Sequence, residues 1–219
     1  MNLSLAEENY LKIIYSLLAA NSADGTTTNE IAEKAQTKAS SVSDMLKKLS
    51  EKQLISYEKY RSVKLSDAGT FCALQVIRKH RLWEAFLHDK LDFSWDKVHE
   101  MAEQLEHIQS PELIDRLDAF LGHPGFDPHG DPIPNAKGLF QASDRRVLAS
   151  LRPGDSAVII AVKDSSTFFL QHLEKLGLSI GSHLTIEEKM DYDNSLSVRS
   201  SNSGLLNLSK KIAENLYVT

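Results

Sequence analysis

The chain has 219 residues, 42% of them hydrophobic, with 25 Lys/Arg against 30 Asp/Glu and a formal net charge of −5. This is apolar enough for a packed core and excludes a disordered chain, while no apolar run approaches the roughly 20 residues of a membrane span. A single cysteine, Cys72, excludes a disulfide framework and a Cys-rich zinc site; the opening "MNLSLAEENY" lacks the basic stretch of a secretory leader, so a cytoplasmic protein with no membrane partner is expected.

From the start, residues 3–18 place Leu11, Ile14, Tyr15 and Leu18 at helical spacing, with Glu7, Glu8 and Lys12 between them. "ANSADGTTT" breaks that helix, and Thr28 precedes a short one, "NEIAEKA". After "QTKA", the stretch "SSVSDMLKKLSEKQLI" predicts a second helix with Val42, Met45, Leu46 and Leu49 on one face and Ser40 or Ser41 as N-cap. Two short helices across a tight turn are a weak signal alone. "LISYEKYRSVKLSDAG" adds a hairpin wing, with strands near residues 54–59 and 62–65. Residues 36–64 also carry seven Lys/Arg against three Asp/Glu, a local excess of positive charge that suits phosphate. DNA binding becomes the leading reading, with the second helix in the major groove and the wing on the backbone.

The next block is helical and acidic: residues 66–121 hold eleven Asp/Glu against six Lys/Arg. "SDAGTFCALQVIRKHRLWEAFLHDKL" predicts a long helix opened by Ser66, followed by "SWDKVHEMAEQLEHI" and "SPELIDRLDAFL", together a natural dimerisation module. "GHPGFDPHGDPIPNAKG" reads as a linker. Beyond it, "PGDSAVIIAVKD", "HLTIEEKMD", "SLSVRSS" and "KKIAENLYVT" alternate β-rich runs with turns. "STFFLQHLEKLGLSIGS" reads as a helix ending at Gly177, which completes a small SH3-like β-barrel.

The sharpest chemistry lies in "WDKVHEMAEQLEHI". At about 100° per residue, His99, Glu103, Glu106 and His107 fall in an arc of roughly 100°. Val98, Met101, Ala102, Leu105 and Ile108 fall on a separate arc, and Glu100 sits at the edge, assigned to solvent. Residues at i, i+3 and i+4 can meet one ion. The preceding helix adds His80 and Glu84 at i, i+4; the linker adds Asp127, His129 and Asp131; "VKDSS" adds Asp164. Carboxylates with imidazole and no thiolate suit Mn²⁺, Fe²⁺, Co²⁺ or Zn²⁺. There is no Gly-rich phosphate loop, no H-E-x-x-H and no serine elbow, so catalysis and a small organic substrate are not expected. Two rivals stay open: a metalloenzyme with a helical site, and a metal-independent winged-helix protein whose acidic face is only solvated.

"YLKIIY", "RKHRLWEAFL", "VHEMAEQLEH" and "DPHGDPIP" jointly resemble the diphtheria toxin repressor and manganese transport regulator family of bacterial metalloregulators, over essentially the whole chain. The resemblance implies an α+β homodimer. Its parts are a winged helix-turn-helix (residues 1–68), a helical dimerisation and metal-binding domain (69–122), a Pro/Gly-rich linker (123–142) and a C-terminal SH3-like, FeoA-like barrel (143–219). It implies a repressor of metal-uptake genes that binds operator DNA when loaded with Mn²⁺ or Fe²⁺, with two metal sites per subunit. The primary ligands implied are Asn9, Glu103, Glu106 and His107. Family members carry Met at the position of Asn9 when iron is the usual effector and Asp when manganese is; Asn offers a neutral amide oxygen. The position of Glu103 is Cys in iron-responsive members and Glu in manganese-responsive ones, which favours Mn²⁺, with Fe²⁺ as the alternative.

The implied second site draws on His80, Glu84, His99, Asp127, His129 and Asp164. Asp127 stands where streptococcal-type manganese regulators have cysteine. His80 and His99 are either ligands or structural histidines, and Asp131 is expected to form the turn. The DNA contacts implied are Lys38, Ser40, Ser41, Ser43 and Asp44 at the start of the second helix, with Arg61 and Lys64 on the wing.

Overall fold

The computed structural model describes residues 3–21, 25–57 and 62–219. These form two compact units. The first comprises Met1–His80, Glu103–Asp115 and Pro134–Leu139; the second comprises Arg81–Ala102, Arg116–Ile133 and Phe140–Thr219. Among the described residues no helix is long and apolar enough to cross a membrane.

Unit 1 opens with helix α1 (Leu5–Asn21). Ser4 and Glu7 cap it reciprocally: the Ser4 amide donates to Glu7 Oε2 at 2.8 Å and the Glu7 amide to Ser4 Oγ at 3.3 Å. Helix α2 (Thr28–Lys34) starts on a second such box, between Thr27 and Glu30. Helix α3 (Ala39–Glu51) follows a turn in which Gln36 takes a positive φ of 50°. Its N-cap is Lys38, which makes no side-chain cap bond; this corrects the expected Ser40 or Ser41 cap. The helix begins earlier, so both serines lie exposed on its first turn.

Strands β1 (Ile55–Ser56) and β2 (Lys64–Leu65) pair antiparallel, Ile55 opposite Leu65, and Val63 bridges Thr26. Among the described residues, Leu54 and Tyr57 fall outside β1 and Ser62 and Val63 outside β2, although the alternation places them in the wing strands; residues 58–61, Arg61 among them, lie outside the described residues. Leu11, Ile14, Ile31, Val42, Leu46, Leu49, Leu54 and Val63 are fully buried together. At about 1.5–3 kcal/mol for each large side chain removed from water, they hold the three helices and the wing as one body. Helix α4 (Asp67–Leu91) begins with Ser66 Oγ accepting from the Gly69 amide at 3.0 Å, as expected of its cap. A Cβ on Gly69 would lie 1.9 Å from the Leu54 carbonyl oxygen, so only glycine lets α4 start so close to the wing.

Helix α5 (Val98–Leu105) and helix α6 (Pro111–Phe120) follow. The division between units falls inside α4 and inside α5. Unit 2 contains a six-stranded antiparallel sheet in the order β3-β8-β4-β5-β6-β7. Its strands are β3 (Arg146–Val147), β4 (Ser156–Val162), β5 (His183–Lys189), β6 (Leu196–Ser200), β7 (Gly204–Leu208) and β8 (Leu216–Val218). Helix α7 (Thr167–Lys175) ends before Gly177, whose φ is +68°.

"KKIAENLYVT", read as β-rich, splits: Lys210–Glu214 form a short helix α8, capped by Ser209 Oγ on the Ile212 amide, and only its end is strand. Ile159, Leu170, Leu173, Leu184, Ile186, Val198, Leu208 and Leu216 make the barrel core, against which Trp95 packs.

Candidate metal centre

Helix α5 stops at Leu105, one turn before the wheel of the sequence would end it. The Ile108 amide closes a tight bond to the Leu105 carbonyl at 3.1 Å, so Glu106 and His107 stand on a turn. Their side chains still gather, in unit 1, with residues of α1. Lys12 Nζ lies 2.7 Å from Glu103 Oε1 and 2.7 and 2.8 Å from the two oxygens of Glu106. Glu106 is wholly buried. Its Oε2 also meets His80 Nδ1 at 2.5 Å, and its Oε1 lies 3.7 Å from His107 Nε2. His107 Nδ1 meets Glu8 Oε2 at 2.6 Å, while Gln109 and Lys79 reach the other Glu8 oxygen.

One turn from Lys12 on α1, Asn9 has a buried Oδ1 with no hydrogen-bond partner among the described residues. A buried amide oxygen without a donor costs roughly 1–3 kcal/mol. A cation would satisfy it. Carboxylate, imidazole and amide oxygen together fit a hard or borderline divalent ion such as Mn²⁺ or Fe²⁺.

The second cluster lies in unit 2. Glu84 on α4, Asp127 and His129 are all buried, with ligand atoms within 4.8 Å of one another. His129 Nε2 donates to the Trp95 carbonyl at 2.7 Å, which aims Nδ1 at Glu84 Oε2, 3.7 Å away. His99, from the exposed face of α5, places Nδ1 3.1 Å from Glu84 Oε1. Asp127 Oδ1 accepts from the His129 and Asp131 amides, each at 2.9 Å; Oδ2 faces Arg81 Nε at 3.5 Å.

The loop is seated on the barrel: the Val162 amide donates to the His129 carbonyl, and a Cβ on Gly130 would lie 2.0 Å from the Ile160 carbonyl oxygen. Gly130 also has a φ of +82°, so glycine is required twice over. Within the stretch read as a linker, residues 125–133 form a hydrogen-bonded loop that buries the side chains of Asp127 and His129.

Burial first, then the charges of Glu84 and Asp131, push the Asp127 carboxyl up to about 8, against the pull of Arg81. Burial opposes a charged His129, but Glu84 and then Asp127 outweigh it and raise that pKa. Burial and the neighbouring carboxylates thus hold Asp127 toward its protonated form, and a divalent ion bound here would take the place of that proton.

Of the residues singled out by sequence, Glu103, Glu106 and His107 come together in unit 1, and Glu84, His99, Asp127 and His129 in unit 2. His80 is brought to Glu106. Asp164 is not among the described groups whose ligand atoms converge; its Oδ1 accepts from the Ser166 amide at 2.9 Å ahead of α7. Asp131 pairs with Arg81 at 3.3 Å and closes the turn.

Lys38, Ser40, Ser41 and Asp44 lie exposed at the start of α3, with Ser43 half-buried and its Oγ on the Ala39 carbonyl; Lys64 is half-buried on β2. Sequence reasoning missed Glu8, Lys12, Arg81 and the Trp95 carbonyl. Glu8 and Lys12 sit at i, i+4 on α1, a signal that was present but indistinguishable from a solvated pair.

Three family models match the chain. The iron dependent repressor N-terminal DNA binding domain covers residues 2–63, the iron dependent repressor metal binding and dimerisation domain 66–135, and the FeoA domain 146–219. The diphtheria toxin repressor of Corynebacterium jeikeium (strain K411) is 30% identical over 185 residues, 84% of this chain and 76% of its own. The iron-dependent repressor IdeR of Mycobacterium leprae is 28% identical over 194 residues, 82% of this chain and 83% of its own. A solved manganese-dependent transcriptional repressor in complex with manganese is 34% identical, covers 97% of this chain and 98% of its own, and superposes with a TM-score of 0.86.

Proposed function

The chain belongs to the iron-dependent repressor family, whose members are DNA-binding transcriptional repressors and not enzymes, and within it we propose an Mn²⁺-activated homodimeric repressor of metal-uptake genes. The observation that carries this reading is the convergence of Glu103 and Glu106 on α1, with His107 beside Glu106, while Asn9 on the same helix holds a buried oxygen in want of a cation.

In this reading Asn9, Glu103, Glu106 and His107 hold one ion, and Glu84, Asp127 and His129 hold a second with His99. His80 and Asp164 are the outlying candidates. Ion binding supplies the charge that lets these acidic groups share one point. By doing so the residues fix α1 against the turn after α5. Helices α2 and α3 pack on α1, so their orientation is fixed with it, and DNA and ion favour the same arrangement.

Lys38, Ser40, Ser41, Ser43 and Asp44 then meet DNA at the start of α3, with Lys64 and Arg61 from the wing. Its first-turn amides lack a side-chain cap and suit phosphate. The winged helix-turn-helix of residues 1–68 reads the operator, residues 69–122 carry dimerisation, and residues 143–219 form the barrel that steadies the second ion. Exposed Leu91 and Phe120 support a second copy as partner.

Oxygen at Glu103 and Asn9, and the manganese-dependent relative at 34% identity, favour Mn²⁺. Fe²⁺ is the second reading, favoured by the iron-dependent repressor IdeR of Mycobacterium leprae at 28% identity. An anaerobic operator-shift titration with Mn²⁺, Fe²⁺, Zn²⁺ and no metal tests both. Mn²⁺ is expected to produce the shift at the lowest free concentration. A shift indifferent to chelator overturns the reading.

A further inference from the structure

Lys12 places its ammonium on both oxygens of Glu106, at 2.7 and 2.8 Å, and on one oxygen of Glu103, at 2.7 Å. That is where a cation chelated by one carboxylate and shared with a second would stand. The lysine side chain is only 17% exposed and Glu106 is at 0%, so their pairing is a buried charge-assisted bridge, with Glu103, at 38%, as its more exposed arm. A divalent ion bound to the same oxygens at roughly 2.0–2.2 Å leaves no room for the ammonium, and two cations so close repel strongly.

We propose that Lys12 is the resident cation of the metal-free site, so that loading exchanges the ammonium for the ion instead of filling an open cage. This rests on the reading of Glu103, Glu106 and His107 as ligands.

Two consequences follow from where Lys12 sits. The ion competes with a tethered ammonium, so Lys12 sets the concentration at which the protein responds. In addition, α1 is fastened to the turn after α5 in both states by different residues. Without ion the fastening is Lys12. With ion it passes to Asn9, three residues earlier, about 4.5 Å along the helix and about 60° around it. The signal to α2 and α3 is then a shift of the point where α1 is held.

The test uses the full chain as wild type, K12M, K12R and E106Q. Free Mn²⁺ is counted by its electron paramagnetic resonance signal during titration, and melting temperature is read with and without saturating Mn²⁺. At the class of sites that E106Q removes, K12M is expected to bind Mn²⁺ on the order of tenfold more tightly. K12R keeps the charge and stays within about threefold of wild type.

K12M should melt several degrees lower than wild type in chelator, and the gap should close in Mn²⁺, because the bridge exists only in the metal-free state. Unchanged K12M affinity, with an equal drop in melting temperature under both conditions, makes Lys12 an ordinary salt bridge and overturns the proposal. If E106Q binds Mn²⁺ as wild type does, the ligand assignment itself fails, a separate outcome. K12Q, neutral but polar, repeats the comparison where K12M does not fold.

Discussion

The cluster on α1 and α5 and the cluster on the Asp127–His129 loop use the same kinds of group in opposite states of balance. In the first, Glu8, Glu103 and Glu106 face Lys12, Lys79, His80 and His107, so each carboxylate has a cation at hand. In the second, Glu84 and Asp127 share His129, with His99 at the edge of Glu84 and Arg81 3.5 Å from Asp127. Burial pushes the Asp127 carboxyl toward its protonated form. One site rests as a closed ion-pair network, and the other rests with Asp127 driven toward protonation by burial and by Glu84. An ion entering the first must displace a cation; an ion entering the second must displace protons.

The comparison breaks most severely at Gly130. An alanine there meets both a φ of +82° and the Ile160 carbonyl oxygen at 2.0 Å. G130A is expected to cost on the order of 3 kcal/mol or more in denaturant unfolding and to unseat His129 from β4. Mn²⁺ binding by the site that depends on Glu106 should survive. If both sites are lost together, the two clusters are not independent and the contrast drawn above fails.

Next in size is the neutral replacement of Asp127. Its pKa in the folded chain is raised above the unfolded value of about 3.9, so ionised Asp127 disfavours folding, and increasingly so as pH rises from about 4 toward 8. D127N removes that penalty while the amide oxygen can still accept from the His129 and Asp131 amides. In chelator, D127N should match wild type in melting temperature near pH 4 and exceed it by a few degrees near pH 8. It should also weaken the second ion by about 10–100-fold. A D127N chain less stable than wild type at pH 8 would show that Arg81 and His129 bind the carboxylate more strongly than burial and Glu84 oppose it.

Much of the first cluster was legible because helices repeat. Glu103, Glu106 and His107 share an arc at 100° per residue, and the arc survives even though α5 ends at Leu105 and a tight turn carries the last two. Lys12 was not legible, because an i, i+4 pair with Glu8 looks the same whether it faces water or a buried carboxylate four helices later. The second cluster depends on loop geometry. Gly and Pro density announces a break in regular structure, but says nothing of whether the loop is seated. What seats it is Gly130 against β4 and the Asp127 oxygen accepting two amides of its own loop. Asp164 shows another use that sequence does not reveal: its Oδ1 accepts from the Ser166 amide two residues on, ahead of α7.

The smallest expected effect is at Asn9, and it separates ligand from neighbour. If the Asn9 oxygen joins the ion, N9D replaces a neutral donor with a charged one and should raise Mn²⁺ affinity several-fold, since affinity for hard cations rises with the number of charged ligands. N9A should lower it by a similar factor. The comparison with K12M is informative because both N9D and K12M tighten the ion for different reasons. K12M removes a competitor and destabilises the metal-free chain by stranding Glu106. N9D adds a carboxylate three residues before Lys12, where the ammonium can partly answer it, so the metal-free melting temperature should hold near wild type. Equal Mn²⁺ affinities for wild type, N9D and N9A would leave the buried Asn9 oxygen without a role at the ion, and the exchange of α1's fastening from Lys12 to Asn9 would lose its second half.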